Sequence, residues 1–594
     1  MAVGRFEEMD SVDLLAPFER DTVLEVRTSR MKTMPGLTIQ SGIDKELRSG
    51  KVAVSLLGLD ADEHDPTFHG GIDKAIHGYC SSHYAQWARE YPEASARFVP
   101  GAFGENLVTA RMNERNVCIG DIMSVGDDGV LLQVSLPRQP CFKLNHRFQL
   151  KNFAPNTYKK SRTGWYYRVL RTGTIQAGNE IRLVERRYPQ WTIERVQEYL
   201  HRTLDNAQMN EELSQILEMG DESRKAFESR VARYKAKQKR LASSTGEKDE
   251  ETKKEKWRKY KITEKKEQTS RVTSFVLEAV ATPRSDSEDK DEEEEEGEKE
   301  EEIQHGSYAR LRLPNGLVRS YSIISGEKAR RFEIGVALEE PSRGGSAFLH
   351  KNASVGDVVE VGRITSDIKM KSASAASKHV FIVGGIGITA FLSLAEMYQS
   401  INYETVIHYS VRSGDHDVPF RERLEKLGLG TGTGTGTDSA SGVILYDRSK
   451  GQRMDLGSIL RNLGWNSYVY VCGPRRMLGE ALREARACGL GEGEVHFEAF
   501  SADTTGDPFE AVVANRGGKV VQVPHEETLL EVLRQHFGSD DVPSSCEVGN
   551  CGTCRVALKD GRVEHRGTAL LEEEKKEAML SCVSRGLGRI TIEI

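Results

Sequence analysis

Cys546-Glu-Val-Gly-Asn-Cys551-Gly-Thr-Cys554 is the stretch from which the organisation of this chain can be read outward. Its three cysteines are spaced C-x4-C-x2-C, and a fourth, Cys582, follows in "MLSCVSRG". Two irons bridged by sulfide need four soft anionic ligands, and a tight glycine-bearing loop lets three of them converge without Cβ clashes. Zinc motifs usually present two short-spaced pairs, whereas this is a triplet plus one distant cysteine. Cys546, Cys551, Cys554 and Cys582 are therefore read as ligands of a [2Fe–2S] cluster. The flanking "GKVVQVPHEETLLEVLRQH" reads as a strand followed by a helix.

A chain of 594 residues is too long for one hydrophobic core, so about three to five domains are expected. Nine cysteines in such a length do not form a disulfide scaffold, and a reducing, cytoplasmic setting follows. The start, "MAVGRFEEMDSVDLL", carries acids and lacks the basic, apolar, small-residue order of a signal peptide. The most apolar stretch, from Val380 to Ala395, is interrupted by Gly384, Gly385 and Gly387 and reads as strand, turn and helix, so no membrane association is expected. The net charge of −7 owes its sign to one tract, Ser285 to Glu302, where thirteen acidic residues face two lysines. The acidity is thus local, and neither a basic partner surface nor nucleic acid is expected.

From residue 20 to 187 short alternating strands and Gly-rich turns ("KVAVSLLGL", "NVCIGDIMSVG", "GVLLQVSL", "GNEIRLVE") predict a mostly β, barrel-like module. The period then becomes helical over 188–242. Ile193, Val196, Leu200 and Leu204, then Leu213, Ile216 and Leu217, then Phe227, Val231 and Tyr234 predict a three-helix unit with Thr192 as an N-cap. Residues 243–256 are a charged linker. Strand signals resume in "RVTSFVLEAV" and "YARLRLPNGLVRSYSII", predicting an antiparallel barrel over 257–370 with the acidic tract (285–302) as an insertion between strands. Strand and helix alternate over 378–500, an α/β pattern, interrupted by the filler "GTGTGTGT". The cysteine cluster closes the chain in an α+β module over 508–594, whose cysteine spacing resembles that of plant-type [2Fe–2S] ferredoxins and implies a ferredoxin-like fold.

Two further constellations carry chemistry. "RSYS" stands on a predicted strand whose alternation sends Arg319 and Tyr321 to one face. With Ser322 they offer a cation for phosphate, an aromatic plane and a small donor, the groups a flavin needs. "RGGSAFLH" follows, and Gly345 and Ser346 add backbone and hydroxyl donors for a phosphate. "HVFIVGGIGITAFLSLAEM" is a strand, a Gly-rich turn and a helix. Gly385-x-Gly387-x-x-Ala390 matches the form of the dinucleotide fingerprint. "TVIHYSVRS", however, ends on Arg412-Ser413 instead of the acid of a true Rossmann second strand. Cys472-Gly473-Pro474 closes a later strand, where a small sulfur-bearing side chain is either packing or a support for a nicotinamide ring.

From residue 257 onward the order of flavin barrel, nicotinamide domain and C-terminal [2Fe–2S] domain resembles the phthalate dioxygenase reductase and vanillate demethylase reductase family. That resemblance implies hydride transfer from NADH or NADPH to FMN, with FAD as the alternative, and single-electron transfer to the cluster. By motif it implies FMN at Arg319, Tyr321, Ser322, Gly345 and Ser346. It places the nicotinamide nucleotide at Gly385, Gly387, Thr389, Cys472, Gly473 and Pro474, and Phe500 of "HFEAF" as a stacking residue.

The first half has its own resemblance. "FHGGIDKAIHGY", "GAFGENL", "VCIGD", "PRQPCFKL" and "SRTGWYYRVLRTGTIQAGNEIRLVER" are similar to a MOSC domain of the bacterial subgroup with a three-helix extension. In that family a cysteine thiolate ligates molybdenum, and the matching residue is Cys141. A soft sulfur supplements the pterin dithiolene and leaves positions for oxygen-atom transfer. Arg138 and Lys143 offer charge to the phosphate of a molybdenum cofactor. His69, Asp73, Lys74 and Asn106 are polar residues in Gly-rich turns, as suited to structural hydrogen bonds as to a cofactor. Cys80 and Cys118 are expected in the core.

The expectation is thus an NAD(P)H-dependent oxidoreductase passing electrons through FMN and [2Fe–2S] to molybdenum at Cys141, where a small N-hydroxylated molecule is reduced. Two alternatives stand beside it: a reductase component for a separate Rieske-type oxygenase or other electron acceptor, and a sulfur-carrier or binding role for the MOSC half.

Overall fold

Strand-forming runs with period-2 alternation set most of the architecture. Val130–Pro137, "VLLQVSLP", is buried on almost every residue because a closed barrel covers its inner face and helices cover part of the outer one. The computed structural model describes residues 15–65, 70–243, 257–280, 302–339, 344–366, 368, 375–429, 442–491, 493–500, 504–538, 541–544, 546–567, 569–570 and 574–594. The acidic tract up to residue 301, the linker 244–256, the Gly-Thr repeat 430–437 and His69 lie outside the described residues. Two compact units result: residues 1–249 with 374–377, and residues 250–373 with 378–594.

In the first unit, seven strands close into a barrel: β1 (Arg20–Thr28), β2 (Ile76–Cys80), β3 (Leu107–Thr109), β4 (Ile122–Val125), β5 (Val130–Pro137), β6 (Trp165–Arg171) and β7 (Glu180–Glu185). The order is β7-β4-β5-β6-β2-β3-β1, and β1 pairs back onto β7. All pairings are antiparallel except β2 with β3. Met123, Val134, Trp165, Tyr167 and Ile181 fill the interior with neighbouring side chains. Cys80 and Cys118 are buried, as expected. Helix α1 (Phe142–Phe148) leaves β5 through a short connection that carries Cys141.

The helical extension comprises α2 (Ile193–Gln197), running into a π-helical turn Glu198–Arg202, then α3 (Ala207–Ser214) and α4 (Asp221–Ser243). Thr192 is the N-cap, its hydroxyl accepting from the Arg195 amide. Ile193, Val196, Leu200, Leu213, Ile216 and Phe227 pack into the barrel core. Leu204, Leu217 and Tyr234, expected on the same faces, are exposed instead. The chain leaves helical geometry between residues 203 and 206 and again after Ser214, so the 3.6-residue phase does not carry across to Leu204 and Leu217. Tyr234 lies within the unbroken α4, where residues 228–235 are exposed or only half-buried.

In the second unit, β8 (Arg258–Thr269), β9 (Val272–Ala279), β10 (Ser307–Arg312), β11 (Val318–Lys328), β12 (Arg331–Ala337) and β13 (Val358–Ser366) form a closed antiparallel barrel. The short helix α5 (Gly345–Lys351) lies between β12 and β13. A five-stranded parallel sheet follows: β14 (Lys378–Gly384), β15 (Glu404–Val411), β16 (Gly442–Asp447), β17 (Ser467–Cys472) and β18 (Val495–Glu498), in the order β16-β15-β14-β17-β18. Helices α6 (Ile388–Ser400) and α7 (Arg475–Ala487) cross between its strands. A mixed sheet of β19 (Phe509–Val513), β20 (Lys519–Val523), β21 (Arg555–Glu564), β22 (Ala578–Leu580) and β23 (Arg585–Glu593) ends the chain. Its helix α8 (Leu529–Phe537) begins in a reciprocal capping box between Thr528 and Glu531.

Candidate functional site

The loop after α8 brings the four cysteines into two pairs. The Cys554 and Cys582 sulfurs are 3.1 Å apart. The Cys546 amide donates to the Cys551 sulfur at 3.5 Å, and the Asn550 amide donates to the Cys546 sulfur at 3.3 Å. Within each pair one thiol hydrogen-bonds the other, which pushes Cys551 and Cys554 down and Cys546 and Cys582 up. Among the described residues no three or more Cys, His, Asp or Glu side chains close around a single ion. Two thiol pairs served by backbone N–H donors fit two bridged irons, each iron taking two sulfurs.

Arg319 and Tyr321 lie on β11 opposite Leu311 and Ala309 of β10. Alternation aims both at α5, where Gly345 leaves no room for a side chain. A Cβ there would stand 2.8 Å from Arg319 Cγ and 3.3 Å from the Tyr321 hydroxyl. Arg319, Tyr321, Ser322, Gly345, Ser346, Thr389 and Phe500 line one cleft of about 700 Å³. A second cleft of about 1000 Å³ shares Arg319, Ser320, Ser322 and Phe500 with it and reaches Cys546 and Cys582. Arg319, Ser320, Ser322 and Phe500 thus border both clefts, and the second reaches the cysteine loop.

At the C-terminal edge of β14 the chain makes a single 3-10 turn, Gly385–Gly387, before α6. Gly387 is pressed against β17: a Cβ would sit 2.4 Å from the Cys472 carbonyl oxygen and 3.2 Å from its sulfur. Cys472 is fully buried, and burial with the nearby Glu498 charge holds its thiol protonated. Pro474 caps α7 and packs on Gly384. Thr389, read from sequence as a nucleotide residue, is buried, its hydroxyl donating to the Ile386 carbonyl at 2.8 Å, and it borders the cleft lined by Arg319 and Tyr321. Arg412 follows β15 and is exposed. Open α/β sheets take ligands at this edge.

The barrel of the first unit carries a separate pocket of about 510 Å³ lined by Cys141, Arg138, Lys143, Asn106, His77 and Tyr166, among others. Cys141 is the N-cap of α1 and only partly covered. Arg138 is 3% exposed, and its Nη1 is buried with no partner among the described residues. Lys143 Nζ is 3.0 Å from Asp65 Oδ2, both side chains 6% exposed. Lys45 pairs with Asp62, which also accepts from Asn106 Nδ2 at 2.8 Å. Burial lowers Lys45, and burial together with the Arg138 charge keeps His77 neutral. Sequence reasoning missed Lys45, Asp62, Asp65, His77 and Tyr166, which come from four different segments. Asp73 and Lys74 instead form ion pairs with Arg168 and Glu222 on the barrel exterior.

Two family models match: "MOSC domain" over residues 65–182 and "2Fe-2S iron-sulfur cluster binding domain" over residues 512–585. A "Reductase" of Gibberella moniliformis is 35% identical over 99% of this chain and 98% of its own length. The chain belongs to the phthalate dioxygenase reductase-like family of reductases, here joined to a MOSC domain. The heme-dependent oxidative N-demethylase beta subunit of Ectopseudomonas mendocina is 34% identical over 48% of this chain and 86% of its own. The solved phthalate dioxygenase reductase, titled a modular structure for electron transfer from pyridine nucleotides to [2Fe–2S], aligns with 57% of this chain and 98% of its own, at 26% identity and a TM-score of 0.41. This MOSC-linked reductase is an NAD(P)H-dependent oxidoreductase with flavin and [2Fe–2S] cofactors. Among its described residues no helix is long and apolar enough to cross a membrane.

Proposed function

We propose that this reductase draws electrons from NAD(P)H and delivers them to a molybdenum cofactor at Cys141, where a small N-hydroxylated compound is reduced. The balance is R–NH–OH + NAD(P)H + H⁺ → R–NH2 + H2O + NAD(P)⁺. The observation that carries the reading is the Cys141 pocket itself. A partly accessible thiol stands beside a buried guanidinium whose Nη1 has no partner among the described residues, and a buried polar group of this kind calls for an anionic ligand.

When bound, the flavin accepts a hydride and passes on single electrons, the cluster relays them, and molybdenum exchanges an oxygen atom. The chain's own residues do the rest. Arg319 and Ser346 would hold the flavin phosphate, Tyr321 would offer an aromatic plane and Ser322 a small donor, and Gly345 would leave room for close approach. Gly385, Gly387, Gly473 and Pro474 let the dinucleotide meet backbone, Thr389 and Cys472 fix the turn beneath it, and Phe500 covers the cleft between the nucleotide and flavin sides. Cys546 and Cys551 hold one iron, and Cys554 and Cys582 the other. Arg138 and Lys143 bind the phosphate of the molybdenum cofactor, with Asp65 orienting Lys143, and Cys141 supplies the metal-ligating sulfur. The implied modules are 20–187, 188–242, 257–370, 378–500 and 508–594, joined by 243–256. Covalent linkage of donor and acceptor raises their effective concentration.

The experiment is metal and pterin analysis of full-length protein made in a host that synthesises molybdenum cofactor, with NADH-driven turnover of a hydroxylamine and amidoxime panel. Stoichiometric molybdenum lost in Cys141→Ser, with flavin and iron retained, is the expected result. Protein replete in flavin and iron but free of molybdenum overturns it. A second reading, delivery to a separate oxygenase, is favoured by the relatives of the reductase half named as subunits of phthalate 4,5-dioxygenase and carnitine monooxygenase systems. Under it, Cys141→Ser leaves physiological turnover unchanged.

A further inference from the structure

A buried arginine ties the flavin strands to the cysteine loop. Arg310 of β10 lies directly across from Ser320 of β11, within the RSYS stretch. Its side chain is 7% exposed, and Nη2 is 3.7 Å from Glu547 Oε1. Nη1 donates to the Ser544 carbonyl at 2.9 Å. Ser544 and Glu547 bracket Cys546 in sequence. Glu547 adopts a left-handed backbone, φ 56°, which a non-glycine residue holds only when its surroundings impose it. Those surroundings are specific: the Glu547 carboxylate also accepts from Arg534 Nη1 at 3.0 Å and from Ser544 Oγ at 2.7 Å. At the other end of the loop, Asn550 Nδ2 donates to the Ala499 carbonyl at 2.9 Å, next to Phe500. Arg310, Glu547 and Asn550 line the same cleft as Arg319, Ser322, Phe500 and Cys546.

We propose that Arg310 is a positioning residue for flavin-to-cluster electron transfer, locking the Cys546 loop onto the flavin strands through Ser544 and Glu547, with Asn550 as the second tie. The inference rests on the reading that electrons pass from a flavin at Arg319 and Tyr321 to a cluster at the four cysteines. Electron transfer slows roughly exponentially with separation, so a loop held at both ends to flavin-site elements keeps the rate from depending on domain docking. The pair has an electrostatic consequence as well. Removing the Arg310 cation beside Cys546 leaves the Glu547 anion and favours the oxidised cluster. Removing the Glu547 charge favours the reduced one.

The test uses the full-length holoprotein with flavin and iron loaded. NADH is mixed in a stopped flow, flavin and cluster bleaching are followed separately, and the cluster midpoint potential is measured. In Arg310→Met, flavin reduction and NADH-ferricyanide activity are expected to stay within twofold of wild type, and cluster reduction to slow at least tenfold. Arg310→Lys is expected to recover part of that loss. The cluster potential is expected to fall in Arg310→Met and rise in Glu547→Gln. Asn550→Ala is expected to slow cluster reduction without moving the potential. Cluster reduction within twofold of wild type in Arg310→Met, with an unmoved potential, overturns the proposal. If Arg310→Met loses its cluster, Glu547→Gln and Asn550→Ala decide, and wild-type cluster reduction in both overturns it. A wild-type protein in which NADH bleaches flavin but never the cluster refutes the underlying electron route instead.

Discussion

Gly387→Ala tests whether the turn after β14 is shaped by close approach to β17. The backbone at 387 is ordinary, φ −56° and ψ −17°, so alanine adds no conformational strain. The demand is purely steric: the new Cβ would stand 2.4 Å from the carbonyl oxygen and 2.7 Å from the carbonyl carbon of Cys472. Cys472 cannot withdraw freely, because β14 and β17 are registered neighbours with Val383 opposite Cys472. Overpacking of this kind costs about 1–3 kcal/mol. If that cost falls on the nucleotide-binding conformation, about 1.4 kcal/mol per decade converts it to a loss of roughly 5- to 150-fold in kcat/KM for NAD(P)H. The assay is steady-state NAD(P)H oxidation with ferricyanide, normalised to bound flavin. Gly385→Ala separates the protein contact from the rest: its Cβ meets no protein atom within 4 Å and its φ is 56°, so it carries a left-handed cost of about 1–2 kcal/mol and any loss of dinucleotide approach, but no clash with Cys472. A Gly387→Ala enzyme with wild-type kcat/KM would show that the turn does not depend on this contact.

Three further outcomes follow from the same coordinates. Cys582→Ala breaks the Cys554 pair, and the cluster's visible absorbance should disappear while NADH still reduces the flavin; retained cluster absorbance would remove Cys582 from the ligand set. Asp65→Asn leaves the buried Lys143 ammonium without its carboxylate, so the MOSC unit should lose about 3–5 kcal/mol, seen as an earlier thermal transition in protein lacking a molybdenum cofactor. His379 is pushed by burial to about 3, below an unfolded value of about 6.5. Between those values the unfolded chain binds the extra proton, so stability is fully present above pH 6.5 and declines as pH falls through the window. Urea midpoints at pH 7.5 and 5 should differ in the wild type and differ less in His379→Phe, which keeps a ring stacked on Tyr398.

Local patterns made much of this molecule readable. Thr192 caps its helix because a β-region hydroxyl can reach the Arg195 amide whatever the fold around it. Alternation sends Arg319 and Tyr321 to one side of β11, and Gly345 follows at short distance in sequence with Ser346; that no Cβ fits between them and α5 is seen only in the structure. The helical faces were less legible. Leu204 and Leu217 match the apolar period yet are exposed, since breaks between the helices reset its phase, and Tyr234 is exposed because α4 buries no residue from 228 to 235. The Cys141 pocket was legible only in part. Cys141, Arg138 and Lys143 share one segment, but Lys45, Asp65, His77 and Tyr166 reach the pocket from elsewhere in the chain.

The sequence by itself determined the modules, their order and the reactive atoms: four thiols at cluster spacing, the flavin and dinucleotide turns, and a solitary Cys141. These are short-range properties, set by residue type and spacing within one loop or strand. Tertiary structure alone decided that the four thiols stand as two pairs, that Gly387 presses on Cys472, that a buried guanidinium nitrogen of Arg138 in the Cys141 pocket has no partner among the described residues, and that Arg310 reaches Ser544 and Glu547. Each depends on chain segments far apart in sequence meeting in space, and a buried charge reveals what it needs only when every neighbour that could satisfy it is in place.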